Sequence, residues 1–169
     1  MKSILLGATF LFLSMPAFAH VTLEQARAPA GSYYKAVFRV SHGCEGSPTR
    51  AITVFLPEGV VGAKPMPKAG WTLESKKEKL PKSYESHGTI VDERVAVISW
   101  SGGRLLDSEY DEFAIRMQLP AETGLRRFRI LQQCEQGQTD WSEMPTADKA
   151  ARYPAPTLEV IPAAGGHHH

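Results

Sequence analysis

The chain predicts an all-β fold, an antiparallel β-sandwich of immunoglobulin-like or cupredoxin-like form, on three observations. Short runs rich in Val, Ile, Phe, Tyr and Thr alternate apolar with polar positions, Gly and Pro clusters separate them, and no stretch holds a helical period over a useful length. Alternating helices and strands, the mark of a parallel sheet, are therefore not expected. The run from His20 to Gln25 predicts a first strand, broken at Pro29, Ala30 and Gly31. Over Ser32 to Ser41, Tyr34, Ala36, Phe38 and Val40 share one face while Lys35 and Arg39 lie on the other, which predicts an antiparallel strand with one buried side. Ala51 to Leu56 predicts the next, stopped by Pro57, Glu58 and Gly59. Trp71 to Glu74, Val95 to Ser101, Glu109 to Leu119, Arg126 to Cys134 and Thr157 to Ile161 bring the set to about eight. The alternation is clearest in Glu109 to Leu119, where Phe113, Ile115, Met117 and Leu119 form one stripe, and Tyr110, Glu112, Ala114 and Arg116 the other. Glu112 therefore points away from the apolar side. The polar segment from Ser75 to Thr89, with Pro81 and Gly88, predicts a hairpin extension or a mobile loop.

The first nineteen residues read as a secretory signal peptide. Lys2 gives a positive start, Ile4 to Phe12 a mostly apolar run, and Ala17-Phe18-Ala19 a cleavage site of small residues. The apolar run is too short to span a bilayer, which needs ~20 residues. Export to the periplasm or beyond is the expectation, with one sandwich domain over 20–162 and a disordered tail over 163–169 that ends in histidines. With residues 1–19 removed, 150 of the 169 residues remain; that segment takes one lysine and no acid, leaving 18 of 19 basic side chains against 18 acidic ones. A formally neutral chain argues against nucleic acid or an anionic membrane surface as partner. The basic run Arg126-Arg127-Phe128-Arg129 falls in an expected strand and reads as a solvated face.

Cys44 and Cys134 are the two cysteines, and in an oxidising compartment they predict a disulfide. Closing a loop of about 90 residues is worth roughly 4 to 5 kcal/mol of chain entropy. A thiolate copper site or a redox pair is the alternative, and it lacks Cys-x-x-Cys spacing.

Cleavage after Ala19 makes His20 the mature N-terminus, and this gives the chain its chemistry. A free N-terminal histidine carries an α-amine, with an ordinary pKa of ~8, and an imidazole near ~6.5. The two together chelate one metal ion, and copper heads the affinity order for such nitrogen donors. The bland reading is that histidine merely follows the cut. A closed site also needs a further donor or a supporting group. Glu24 shares a strand face with His20 but lies ~13 Å along an extended chain, so the backbone would have to bend near Val21 to bring it to the ion. Glu112 lies on the polar face of the clearest strand and is the better candidate, against the reading of a solvated acid. Trp141 either caps the end of the sandwich or shields a metal from water. His42, two residues before Cys44, is either a turn histidine bonded to backbone or an extra imidazole tethered near Cys134 by the disulfide. His87 carries no role. His167, His168 and His169 read as a metal-binding tract or the remnant of a purification tag. Met66 and Met144, each followed by Pro, read as packing residues.

Taken in order, His20-Val21-Thr22, Gly46-Ser47-Pro48-Thr49, Pro67-x-x-Gly70-Trp71, Glu112-Phe113 and Trp141 resemble the YcnI-like copper-binding family, long known as a domain of unknown function. The resemblance covers nearly the whole mature chain. It implies an exported β-sandwich that binds Cu(II) through the N-terminal histidine, in a one-histidine version of the histidine brace with acidic help and a nearby tryptophan. Carried onto this chain, that points to His20, to Glu112 ahead of Glu24, and to Trp141. The stretch His42-Gly43-Cys44 and Cys134 belong to a subset of the family, and no family role passes to them.

Three functions compete on these residues. The first is a copper-binding protein of copper homeostasis that stores, buffers or hands Cu(II) to another periplasmic or membrane copper-handling protein. The second is a copper-dependent oxidative enzyme resembling the polysaccharide monooxygenases, whose brace adds a second histidine; outside the tail only His42 or His87 supplies one. The third is a structural or adhesive sandwich with an incidental N-terminal histidine.

Overall fold

Along β3 (Tyr33–Val40) the side chains of Tyr34, Ala36, Phe38 and Val40 are buried, while Tyr33 and Lys35 are exposed and Arg39 half-buried. The partner strand β8 (Asp111–Gln118) repeats the pattern, with Phe113, Ile115 and Met117 buried. The two stripes meet in antiparallel register, Phe38 opposite Phe113 and Arg39 opposite Glu112. Period-two alternation has fixed which face of this sheet is the core.

The computed structural model describes residues 20–86, 88–146 and 149–163. The expected signal segment, His87 and the His167–His169 tail lie outside the described residues. Among those described, every regular element is a strand. Around β3 and β8 stand β1 (Thr22–Leu23) and β5 (Val61–Pro65), in the sheet order β1-β3-β8-β5. Facing it is a five-stranded sheet of β4 (Thr49–Phe55), β6 (Thr72–Ser86), β7 (Thr89–Leu105), β10 (Arg129–Cys134) and β11 (Gln138–Trp141), ordered β11-β10-β4-β7-β6. A small third sheet joins β2 (Arg27–Pro29), β12 (Thr157–Ile161) and β9 (Gly124–Arg127), and the β2–β12 pair within it is parallel. Phe38, Phe113, Ile52, Ile98, Trp100, Phe128 and Ile130 fill the space between the layers. Trp100 donates its indole N–H to the Met66 carbonyl at 3.0 Å, so its polar atom is satisfied in the core.

The fold is the β-sandwich the patterning predicts, and the differences have local causes. The first strand is only two residues long, because the chain leaves β3 after Glu24 and carries Arg27–Pro29 to β12. The expected strand from Arg126 to Cys134 divides at Phe128, whose N–H donates to Pro156 while its ring enters the core. Ser75 to Thr89 is the hairpin extension, because β6 and β7 stay paired out to Ser86 opposite Thr89. Lys77 with Glu93, and Lys79 with Asp92, flank this ribbon. Arg94 roots it, reaching Glu78 at 2.6 Å and the Pro57 carbonyl at 3.0 Å. The disulfide between Cys44 and Cys134 is formed and ties the loop after β3 to the end of β10.

Candidate metal centre

Strand β11 ends at Trp141, which pairs with Ile130 of β10 and is almost fully buried. Beside it, Arg129 clasps Asp140 through two nitrogens, at 3.0 Å and 2.7 Å. That hydrogen bonding holds the Asp140 carboxyl below the usual carboxylate range and fastens β11 to β10. The indole N–H of Trp141 donates to Gln132 Oε1 at 3.0 Å. Gln132 is wholly buried, and its amide nitrogen donates in turn to the His42 carbonyl at 2.7 Å and to Thr49 Oγ1 at 2.8 Å. One buried amide therefore joins the indole to the backbone of the loop after β3.

Three rings stand edge-on around that indole. His20 lies 5.9 Å from Trp141 between centroids at 74°, His42 lies 5.9 Å away at 71°, and Tyr153 lies 5.6 Å away at 90°. His20, His42, Trp141 and Tyr153, with Asp107 and Glu45, line one cavity of about 320 Å³. Arg152 and Tyr153 complete the lining, in a segment where Glu143 N–H donates to the Tyr153 carbonyl and Ala155 N–H donates to the Glu143 carbonyl, both at 3.0 Å.

The wall bearing His42 is built by its neighbours. Glu45 and Gly46 both adopt positive φ, 51° and 87°, and Cys44 and Ser47 exchange both backbone hydrogen bonds, which makes a two-residue hairpin turn. Gly43 admits no side chain, because a Cβ there would stand 1.9 Å from the Ser47 carbonyl oxygen. Its N–H donates to Asp107 Oδ1 at 2.8 Å. Gly43 is thus explained by close backbone approach and the Asp107 contact, and Cys44 by the disulfide.

Of the residues the sequence points to, His20 and Trp141 are brought together. Glu24 and Glu112 are brought to each other through Arg39, at 3.1 Å and 3.9 Å, and neither is among the residues lining the cavity. Tyr110 also donates its hydroxyl to Glu112, which raises the tyrosine's pKa. Glu112 does face away from the apolar stripe; the cross-strand register supplies Arg39 as its neighbour. The acidic residues that line the cavity with His20 are Asp107 and Glu45. Sequence reasoning did not reach Asp107, Gln132 or Tyr153. Gln132 had a signal, because it is a polar residue in phase with Ile130 on the inward face of β10.

Among the described residues no three His, Cys, Asp or Glu side chains converge on one point. The side chains in the cavity lining that could donate to a metal are His20, His42, Glu45 and Asp107.

Comparison with known proteins identifies the family of the chain. The model of "Domain of unknown function (DUF1775)" matches residues 20–160. The chain belongs to this family, the YcnI-like group. The match begins at His20, and it takes in the His20-Val21-Thr22 start and Trp141 alike. The YcnI-like chain is similar to an uncharacterised protein from Nocardia farcinica described as having an immunoglobulin-like fold, with a TM-score of 0.65 and 24% identity, covering 83% of this chain and 97% of that one. This likeness selects the immunoglobulin-like form of the sandwich. A type I cohesin from Pseudobacteroides cellulosolvens aligns with a TM-score of 0.40 and 12% identity, over 89% of this chain and 96% of that one. No curated protein matches the sequence. Among the described residues no helix is long and apolar enough to cross a membrane.

Proposed function

We propose that this YcnI-like protein is exported, loses residues 1–19, and binds one Cu(II) through the α-amine and imidazole of His20, for copper storage, buffering or transfer. The observation that carries this reading is the His20 ring set edge-on to the buried Trp141 in a cavity with carboxylates in its wall. An amine and an imidazole on one residue close a chelate, and the indole keeps water from one side of it. Copper is here the cargo. His42, in the same cavity, favours one second reading, a copper-dependent oxidative enzyme; peroxide-driven substrate oxidation that disappears when His42 is replaced would decide for it.

The test is a pair of chains, one beginning at His20 and one with a single extra residue before it, both with His167, His168 and His169 replaced by serine. The first is expected to bind about one Cu(II), and the second to bind roughly a hundredfold more weakly, because its amine has become an amide. Copper at about 100 times its dissociation constant should add ~2.7 kcal/mol to the stability of the first. Equal affinities would sink the proposal, and unchanged melting of both with Cu(II) would favour a purely structural sandwich. Mass spectrometry of the secreted protein checks the cut after Ala19.

A further inference from the structure

We propose that His42 is a second metal ligand in this cavity, donating through Nε2 alongside the His20 chelate. The inference rests on the reading of His20 as the anchor and goes beyond it, since that reading uses one imidazole only.

A shared cavity and a shared indole are the first ground. The two imidazoles stand at the same centroid distance, 5.9 Å, and at nearly the same angle to one indole, and both line the one cavity. The second ground is the tautomer. His42 Nδ1 lies 2.5 Å from the Gly43 carbonyl oxygen, and a carbonyl only accepts, so Nδ1 carries the proton and donates it. The neutral ring then holds its lone pair on Nε2. A ligating histidine is usually held in this way, one ring nitrogen bonded to backbone or carboxylate and the other presented to the metal.

The third ground is how firmly the position is built. The His42 carbonyl accepts from the wholly buried Gln132 amide, Gly43 N–H donates to Asp107, Gly43 has no room for a Cβ, and Cys44 is covalently joined to Cys134. These restraints fix the backbone from which the His42 ring projects into the cavity. Donor count is the fourth. Three convergent side chains are absent among the described residues, but two imidazoles and one main-chain amine give three nitrogens from two residues. Asp107 and Glu45 in the wall offset the charge of the ion.

The experiment uses the chain beginning at His20, with the three tail histidines replaced by serine, and compares it with His42→Ala and His42→Phe in the same background. His42→Phe keeps an aromatic edge against Trp141 while removing both nitrogens, so it separates packing from ligation. Cu(II) affinity by competition with a chromophoric chelator, and the copper EPR spectrum, are read for each, with circular dichroism to show that each is folded. Both variants are expected to lose roughly ten- to a hundredfold in affinity, and their EPR parallel g and hyperfine values should shift as one nitrogen leaves the equatorial set. If folded His42→Phe binds within about threefold of the parent with an unchanged spectrum, His42 is not a ligand. In that event the chain extended before His20 still tests the anchor independently: weak binding there leaves the His20 reading standing, and tight binding removes both.

Discussion

Tyr34 shows what one buried hydroxyl does to the stability of this sandwich. Its ring belongs to the core stripe of β3, its hydroxyl donates to the Gln25 carbonyl at 2.6 Å, and burial, reinforced by the Glu24 carboxylate, pushes its pKa up to about 12. The folded protein therefore keeps this proton at a pH where the unfolded chain, with an ordinary pKa of ~10, releases it. A raised folded pKa leaves the contribution intact below pH ~10 and withdraws it as pH climbs from ~10 towards ~12, with a slope of roughly 1.4 kcal/mol per pH unit. Urea unfolding at a series of alkaline pH values checks this. Tyr34→Phe is expected to cost about 1 kcal/mol at neutral pH for the lost hydrogen bond and to lack the Tyr34 share of the alkaline slope. Parallel pH profiles for the two proteins would exclude Tyr34 as its source.

At the scale of elements, the segment after β3, strand β4 and strand β11 are tied to β10 because the Gln132 side chain bonds to His42, Thr49 and Trp141. Replacing it by Leu keeps the volume while leaving the Trp141 indole N–H and the His42 carbonyl without their partner. Each buried group so stranded costs about 1–3 kcal/mol, so Gln132→Leu should lower stability by several kcal/mol in urea unfolding, with a shift of Trp141 fluorescence. A loss below about 1 kcal/mol would mean that water replaces the amide at no cost. The same elements show what the sequence makes legible. β3 and β8 are long enough for period-two alternation to fix both strand and buried face, and both are found. β2, β5 and β11 are three to five residues long and carry Pro, Gly or mostly polar side chains, and β2 and β5 are held by pairing to strands distant in sequence, which no local pattern records. Glu112 divides the same way: its face was readable, but Arg39 opposite it is set by register. The pairing of His20 with Trp141 needed the whole sandwich to bring the segment before β1 beside the eleventh strand.

Across the whole molecule the Cys44–Cys134 bond closes a loop of 90 residues in separation, from the end of β3 to the end of β10, and so spans both main sheets. In the chain-entropy account a loop of this length restricts the unfolded state by about 4 to 5 kcal/mol, a large share of the 5–15 kcal/mol that holds a typical domain folded. The double substitution Cys44→Ala and Cys134→Ala should therefore lower the melting temperature by about 10–15 °C, at 2–4 °C for each kcal/mol in a chain of this size. Scanning calorimetry under identical buffer checks it, and a fall below about 3 °C would place little of the stability in the cross-link. The bond also bears on the cavity, because Cys44 anchors the turn next to His42 while Cys134 continues the strand that carries Gln132. With the cross-link gone, that wall keeps hydrogen bonds such as those to the Gln132 amide and the Asp107 carboxylate but loses its covalent tie to β10. Copper affinity in the double variant, measured well below its melting temperature, should consequently fall more than it does for Glu112→Gln, whose carboxylate is engaged with Arg39 away from the cavity. The reverse order would return the acidic role to Glu112 and take the His42 wall out of the site.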